Sequence, residues 1–518
     1  MKIKNFNISG LWLLIFLIAI IKLSAHLLTS ENYELQRDAY LYIAQAHHLS
    51  FGFISIPPLL PFLIRIMEFF FGDSVFAMRL LPAVIGALSI IIIGKFVLDA
   101  GGKTWAVLIA GLAFLFSPAF LRSNSLLQPV SLNQFFWLLS SYFVFRLMQT
   151  KDTRYWLILG ITWGFAFLNK YSITFLVLAF ILGLLVTPQR QFFRSRHFLY
   201  GMGIGFLIIL PNLIWQYMHN WPVVSHMAEL QKNQLVNVNI IDFVSMQFLM
   251  NMPGMLIWIA GLVYFLFVRE VKHLRTLGFA YLFLILILIL FRGKAYYTLG
   301  IYSMLFVGGG LFLEKYLTGY KAIFNYIILV LMASATLIML PFSLPVYSLE
   351  KMARFSRETM KYGMEGTLRW EDGQLHAIPQ DYADMTGWKE LSDIVLATYN
   401  RLSEEEKSQC VIYAENYGQA GAVMYHTHKW GLPEPISFSD SFVLWAPEKL
   451  TLEVFIYIND DPSDMYRFFG EVVETGRINN PYFRENGVAV YLCKHPKNEF
   501  ISFARNKIKE RKSRYLQN

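Results

Sequence analysis

Thr276-Leu-Gly-Phe-Ala-Tyr-Leu-Phe-Leu-Ile-Leu-Ile-Leu-Ile-Leu-Phe-Arg292 is an apolar stretch with no charged residue before Arg292 at its end. Similar stretches recur along the chain of 518 residues, of which 55% are hydrophobic. Unsatisfied backbone polar groups are too costly inside a bilayer, so apolar runs of about 20 residues indicate membrane-spanning helices. The chain is therefore predicted to be an α-helical polytopic membrane protein.

About eleven transmembrane helices are predicted from these stretches. They are placed at 11–29, 76–98, 104–122, 131–149, 155–171, 173–188, 198–218, 244–268, 276–292, 298–314 and 321–342. The first follows Met-Lys-Ile-Lys but lacks a small-residue cleavage site, so it is interpreted as a retained anchor rather than a cleaved signal peptide. Residues 1–342 are thus predicted to form the transmembrane domain.

Lysine and arginine collect in alternate loops, beginning with Lys2 and Lys4 at the N-terminus. By the positive-inside rule these loops and the N-terminus are cytoplasmic. The segments around 30–75, 122–130, 171–172, 219–243 and 292–297, and everything after about 343, are then predicted to face outside. The net charge of +9 is assigned to membrane topology, and no nucleic-acid partner is predicted.

Three ionisable motifs fall at this predicted outer face. The loop 30–75 carries Asp38 in Arg37-Asp38-Ala-Tyr40-Leu-Tyr42, followed by His47-His48, Gly52 and Pro57-Pro58-Leu59. The other two are Asn169-Lys170-Tyr171-Ser172 and Arg292-Gly-Lys294-Ala-Tyr296-Tyr297. Ionisable residues at the ends of apolar spans either extend to the lipid headgroups or line a functional cavity, and residue type alone leaves both interpretations open for Lys170.

Taken together, the motifs resemble those of the dolichyl-phosphate-mannose protein mannosyltransferase superfamily, whose bacterial members include the aminoarabinose transferases of lipid A. Asp38 matches the catalytic aspartate of that superfamily, Gly52 its glycine and Pro57-Pro58-Leu59 its proline pair, while Ala39 stands where a glutamate is usual. The resemblance implies a C-type glycosyltransferase fold in the inner membrane of a bacterium. It also implies a polyprenyl-phosphate-sugar donor and a lipid, glycan or protein acceptor, with inversion at the sugar.

The resemblance further implies roles for individual residues. Asp38 would be the general base, and Lys170, Arg292, Lys294 and Tyr297 would bind the donor phosphate. The candidate lining of the substrate cavity is Arg37, Tyr40, Tyr42, His48, Pro57, Pro58, Gln128, Tyr171, Trp215 and His219. No cofactor is assigned; a divalent metal stays open, because Ala39 removes one candidate ligand and no histidine and aspartate cluster replaces it.

Two other classes of protein remain as alternatives. Many spans with a few charges also describe a secondary transporter or a lipid flippase, although such proteins usually contain internal repeats and midplane charges. A non-catalytic assembly protein would not need Asp38 or Lys170. For Trp215 and Trp221, an aromatic belt at the membrane interface is the alternative to stacking on a sugar.

Residues 343–495 change character and are predicted to form an extracytoplasmic α/β domain. Strand patterns at 410–414, 452–458 and 488–492 alternate with helical patterns at 387–402 and 462–474. The segment 415–421 follows the first strand, a position that favours ligands in open α/β sheets.

Three features of this region have more than one interpretation. Carboxylates in 368–388 are interpreted as solvated loop residues, with an acceptor cleft or a metal site as the alternative. Cys410 and Cys493 could pair in a disulfide or remain two thiols. Residues 496–518 are predicted to be a basic tail, disordered or lying on anionic headgroups.

Overall fold

The computed structural model describes residues 8–233, 239–447 and 451–516. Lys2 and Lys4, on which the predicted cytoplasmic N-terminus partly depends, lie outside the described residues. The chain divides into two compact units. The first comprises 1–30, 79–213 and 227–346, and the second comprises 31–78, 214–226 and 347–518.

The first unit is helical throughout its described part and packs around one apolar core. Its α-helices, including those that run across its boundaries, are Ile8–Leu27, Val75–Asp99, Thr104–Leu115, Pro118–Ser123, Pro129–Thr150, Tyr155–Asn169, Ile173–Leu185, Arg196–Met218, Pro222–Asn233, Ile240–Leu249, Met255–Phe267, Arg275–Leu290, Leu299–Tyr316 and Ile323–Ser343. Short 3-10 helices are Pro188–Arg194, Met252–Gly254, Arg269–Leu274, Ala295–Thr298 and Gly319–Ala322.

Six helical stretches in the described residues are long and apolar enough to cross a membrane: Ser9–Leu27, Val75–Asp99, Arg196–Met218, Arg269–Leu290, Ala295–Tyr316 and Gly319–Ser343. The number rises to eight if two bent helix pairs each form one span. Thr104–Leu115 and Tyr155–Asn169 are shorter apolar helices. A polytopic helical architecture follows, and the count of about eleven stays a prediction.

Prolines interrupt two of the predicted spans. In 104–122 the helix ends at Leu115 and restarts at Pro118, with Ser117 in an extended conformation. In 244–268 it ends at Leu249, and the helices on either side of the break are bent by 73°. Pro253 lies in the 3-10 turn at that break. Proline removes a backbone donor and disfavours helical geometry at the preceding residue, so both breaks have a local cause.

Glycine allows close packing between the helices Met255–Phe267 and Leu299–Tyr316. A Cβ atom on Gly261 would lie 1.9 Å from the Leu305 carbonyl oxygen, closer than any side chain permits. Small residues at such crossings let helix backbones approach one another within a membrane, where there is no hydrophobic driving force between helices.

The second unit combines helices with one four-stranded sheet. The strands are β1 (Cys410–Ala414), β2 (Val454–Asn459), β3 (Phe469–Arg477) and β4 (Ala489–Pro496), in the order β1-β2-β4-β3. β1 and β2 are parallel, and the other pairs are antiparallel. The α-helices are Arg37–His47, Leu59–Phe71, Leu349–Met360, Gln380–Ala383, Trp388–Tyr399, Glu404–Ser408, Tyr417–Thr427, Phe442–Trp445, Ser463–Phe468 and Asn498–Lys512. Glu365–Leu368 and His428–Trp430 are 3-10 helices.

The predicted α/β pattern is present, with two local corrections. The helix predicted over 462–474 ends at Phe468, because Phe469–Arg477 pairs with β4 along its length as strand β3. Residues 498–512 form a helix rather than a disordered tail, and its Phe500 and Ile508 are buried in the core of the sheet region. Strand β3 forms because it pairs with β4, and the C-terminal helix is ordered because two of its side chains pack into a core. Neither contact can be read from local composition.

Candidate functional site

Asp38 lies in the first turn of the helix Arg37–His47, called here the loop helix. Gln36 caps that helix, since its side-chain oxygen accepts from the Asp38 backbone N–H at 2.9 Å. The loop helix packs against the helix Tyr417–Thr427, called here the domain helix, which follows β1. The position of Asp38 is thus set by a helix start and by a helix of the C-terminal region.

The Asp38 carboxylate accepts a hydrogen bond from Tyr417. The phenol oxygen of Tyr417 lies 2.8 Å from Asp38 Oδ1. Burial raises the pKa of Asp38 above its ordinary value, while the Tyr417 hydrogen bond and the charge of Arg37 act to lower it. The charges of Glu371 and Asp381 raise it further. Asp38 is thus partly buried and hydrogen-bonded, an environment of the kind that tunes an acid or a base.

The loop 368–388 contributes carboxylates to the surroundings of Asp38. Asp384 is 2% exposed and accepts from the Gln36 side-chain amide at 3.3 Å. Its carbonyl accepts from the Arg37 backbone N–H at 3.0 Å. The interpretation of these carboxylates as solvated loop residues is wrong for Asp384, because its carboxylate pairs with Arg484 and is shielded from solvent. The proposed roles in an acceptor cleft or a metal site stay predictions.

The loop 30–75 holds further candidates for the lining of the substrate cavity. Tyr40 is fully buried, and its phenol lies 3.3 Å from His426 Nε2. Tyr42 is 8% exposed. Of the proline pair, Pro57 is buried, and Pro58 is the residue that precedes the helix Leu59–Phe71.

The two adjacent histidines contact different carboxylates. His47 Nε2 lies 3.0 Å from Glu68, and His48 Nε2 lies 3.0 Å from Glu434. The His48 ring also stacks on Trp445, with ring centres 4.2 Å apart.

Trp215 and His219 pack against each other. Their rings stack with centres 4.0 Å apart, and His219 Nδ1 lies 2.8 Å from the Trp215 carbonyl oxygen. Trp215 is 8% exposed, which leaves little of its ring surface accessible for a sugar, whereas Trp221 is 42% exposed.

Three of the four predicted phosphate-binding residues, Lys170, Lys294 and Tyr297, lie around one pair of tyrosine rings in the first unit. The Lys170 amino group lies 5.4 Å from the ring centre of Tyr297 and 5.7 Å from that of Tyr296. Lys294 lies 6.0 Å from the Tyr296 ring centre. Both lysines thus contact the Tyr296 ring through cation–π interactions, and Lys170 also contacts Tyr297.

Arg292 lies next to this pair in sequence and is exposed. Its φ of 52° lies in the left-handed region, which residues other than glycine seldom adopt. Non-glycine residues with such a backbone conformation are found preferentially at functional sites. Lys170 leaves the helix Tyr155–Asn169 in an extended conformation. The amide of the preceding Asn169 is buried and donates to the Pro129 carbonyl at 3.0 Å, which fixes the helix end.

Tyr171 and Gln128 also lie in the first unit. Tyr171 donates to the side-chain oxygen of Asn212 at 3.1 Å. Gln128 is the residue before the helix Pro129–Thr150, with an extended backbone.

Three residues around the start of the loop helix were not individual candidates in the sequence: Tyr417, Arg484 and Glu485. Asp384 was a candidate only through the alternative interpretation of 368–388 as an acceptor cleft or a metal site. Tyr417 lies in the segment 415–421, which the sequence associates with ligands only through its position after a strand. Its contact with Asp38 spans 379 residues, so local pattern carries no signal for it. Among the described residues, no group of three or more His, Cys, Asp or Glu side chains is arranged to hold a metal.

Known proteins resemble this chain in sequence and in fold. The family model described as dolichyl-phosphate-mannose-protein mannosyltransferase matches residues 55–215. The lipid A galacturonosyltransferase RgtD of Rhizobium johnstonii is 24% identical over 218 residues, covering 41% of this chain and 45% of that protein. The alignment thus spans less than half of this relative.

Crystal structures of ArnT from Cupriavidus metallidurans share the fold. The apo structure and the structure bound to undecaprenyl phosphate each superpose with a TM-score of 0.62 at 14% identity, covering 94% of this chain and 98% of ArnT. With the family match, this likeness confirms the resemblance to the mannosyltransferase-like superfamily of C-type glycosyltransferases.

Proposed function

We propose that this chain, which resembles the mannosyltransferase-like superfamily, is an inverting membrane glycosyltransferase. It transfers a sugar from a polyprenyl-phosphate donor to a hydroxyl of a lipid, glycan or protein acceptor at the outer face of a bacterial inner membrane. The observation that carries the proposal is that Lys170 and Lys294 both contact the Tyr296 ring, with Tyr297 also against Lys170. A paired cation site at the end of apolar helices suits the phosphate of a lipid-linked donor.

In the proposed reaction Asp38 takes the proton from the acceptor hydroxyl. The acceptor oxygen attacks the anomeric carbon of the sugar, a new C–O bond forms, and the bond from that carbon to the phosphate oxygen breaks. The polyprenyl phosphate leaves with the bonding electron pair, and attack from the opposite face inverts the anomeric configuration. General-base catalysis of this kind contributes about 10²- to 10⁴-fold to the rate.

Lys170, Arg292 and Lys294 are proposed to stabilise the negative charge that develops on the leaving phosphate. Fixed cations act most strongly where charge appears in the transition state and where water is excluded. Tyr297 is proposed to hold the ammonium group of Lys170, which lies over its ring. The remaining candidates, including Arg37, His48, Gln128, Tyr171, Trp215 and His219, are proposed only as parts of the surroundings of the substrates.

The experiment that tests the proposal uses purified full-length protein in lipid vesicles. It is incubated with a panel of radiolabelled polyprenyl-phosphate sugars and with lipid, glycan and protein acceptor fractions from membranes. Label entering one fraction, with the opposite anomeric configuration in the product by NMR, is the expected result. Failure to transfer from any donor in the panel would contradict the proposal, and movement of intact donor across the vesicle membrane would favour a flippase.

A further inference from the structure

We infer that Tyr417 is a positioning residue for Asp38, and that the C-terminal region therefore takes part in catalysis through the domain helix. This inference rests on the proposed function of Asp38 as general base. It assigns a role to a residue of the C-terminal region, which lies outside the matched residues 55–215.

The hydrogen bond between Tyr417 and Asp38 has a defined direction. The Tyr417 phenol oxygen lies 2.8 Å from Asp38 Oδ1. Burial and the adjacent Asp38 charge raise the pKa of Tyr417 well above its ordinary value, so the phenol keeps its proton. Tyr417 is consequently the donor and Asp38 the acceptor, an arrangement that favours the ionised carboxylate.

Tyr417 is held at the capped start of the domain helix. It is the first residue of the domain helix, and the Asn416 side-chain oxygen caps that helix by accepting from the backbone N–H groups of Gly418 and Gln419 at 2.9 and 3.2 Å. The Asn416 amide donates to both oxygens of Glu485, at 3.1 and 3.2 Å. A capped helix start that is braced from outside fixes the origin of the Tyr417 side chain.

Arg37 contacts the ring of Tyr417. The Arg37 guanidinium carbon lies 4.5 Å from the Tyr417 ring centre, and its Nε lies 3.8 Å from Glu485. Because Arg37 is adjacent to Asp38 in the chain, the domain helix contacts two consecutive residues of the loop helix. The phenol is thus held on its face by Arg37 and at its hydroxyl by Asp38.

These contacts give Tyr417 two effects on Asp38. The hydrogen bond fixes the orientation of the carboxylate, and it opposes the burial that raises the Asp38 pKa. A base held in one orientation and kept ionised removes the acceptor proton without first reorganising.

The test compares Tyr417→Phe with Tyr425→Phe in the full-length protein. Phenylalanine keeps the ring beneath Arg37 and removes only the hydroxyl. Tyr425 is a matched control on the same domain helix, because its hydroxyl donates to the backbone carbonyl of Asp73 and not to Asp38. Two quantities are measured as a function of pH. The first is kcat for sugar transfer. The second is the labelling of Asp38 by a carbodiimide, which reacts with the protonated carboxyl group; the label is quantified by mass spectrometry.

For Tyr417→Phe, we expect the midpoint of Asp38 labelling to move upward by about one pH unit, because a donor to the charged form is lost. The acid limb of the kcat profile should move in the same direction, and kcat should fall about tenfold or more, with an unchanged KM for the donor. Tyr425→Phe should match the wild type in both readouts.

A Tyr417→Phe variant with wild-type labelling and a wild-type kcat profile would overturn the inference and leave the proposed function intact. A shifted labelling midpoint with unchanged kcat would also overturn the positioning role. The proposed function fails separately, if Asp38→Asn transfers sugar as the wild type does. Labelling of Asp38 does not depend on transfer, so it measures the Tyr417 contact even in that case.

Discussion

The Arg484 guanidinium donates to both carboxylate oxygens of Asp384, at 3.1 and 3.3 Å. Asp384 is buried, and burial raises its pKa to about 6 in spite of the opposing charge of Arg484. Because the Asp384 backbone and side chain also accept from Arg37 and Gln36, this ion pair anchors the residues that precede Asp38.

Replacing Arg484 with methionine should destabilise the second unit at neutral pH. The change leaves Asp384 buried without its cation, which typically costs about 3–5 kcal/mol. The folded-state pKa of Asp384 is already above the unfolded value of 3.8, and losing Arg484 raises it further, so the protonated form is favoured on folding. Stability should therefore be partly restored as the pH falls from 7 to 5.

Thermal unfolding in detergent at both pH values measures this effect. Lys361→Met is the control, since it removes an exposed partner of Glu358. Equal melting of Arg484→Met and wild type at pH 7 would contradict the assigned role of the pair.

Lys170→Met should weaken binding of a polyprenyl phosphate. A hydrogen bond to a charged group contributes about 1.5–3 kcal/mol, which corresponds to a loss of roughly tenfold or more in affinity. Native mass spectrometry of the purified protein with the unglycosylated lipid phosphate measures it. Lys272→Met is the control, because Lys272 is exposed and lies in a loop predicted to face the cytoplasm. Identical affinities for both variants would exclude Lys170 from the phosphate site.

Gly421→Ala should separate the domain helix from the loop helix. A Cβ atom at this position would lie 2.8 Å from the backbone carbon and oxygen of Tyr40, and a backbone cannot rotate away as a side chain can. We expect a loss of about 1–3 kcal/mol in stability and reduced sugar transfer. Gly366→Ala, where the added atom meets nothing within 4 Å, should retain both. Unchanged melting of Gly421→Ala would show that the two helices tolerate a wider spacing.

Cys410 and Cys493 are both free and buried, which decides between the two alternatives that the sequence left open. Burial raises the pKa of each thiol to about 12, so neither is a thiolate at neutral pH. A maleimide should leave both unmodified in the folded protein and add two labels after denaturation without reductant. Intact-mass measurement checks this, and an absence of label on denatured protein would reveal a disulfide.

Local sequence is sufficient for part of this structure. Apolar length predicts membrane helices, and β-branched clusters predict β1, β2 and β4, because these signals depend on neighbouring residues alone. Lys170 and the segment 292–297 were grouped by their shared predicted face and by the family resemblance, and the structure brings Lys170 to Tyr296 and Tyr297.

The remainder depends on contacts between distant residues. Strand β3 is a strand because β4 pairs with it, and the helix Asn498–Lys512 is ordered because Phe500 and Ile508 find a core. Asp38 was assigned by its motif, whereas the burial and the acidic side chains Glu371 and Asp381 that raise its pKa come from the folded chain. Tyr417, Asp384 and Arg484 reach the loop only through the folded chain, so no spacing in the sequence indicates them.

The variant Asp38→Asn tests the general-base role of Asp38, with sugar transfer and donor binding measured on the same preparation. Asparagine preserves the size of the side chain and removes its basicity. We expect transfer to fall about 100-fold or more, while donor affinity and melting temperature stay near those of the wild type. Asp73→Asn, which alters a carboxylate paired with Lys429 and His428, should transfer normally. Transfer by Asp38→Asn at the wild-type rate would exclude Asp38 as the general base.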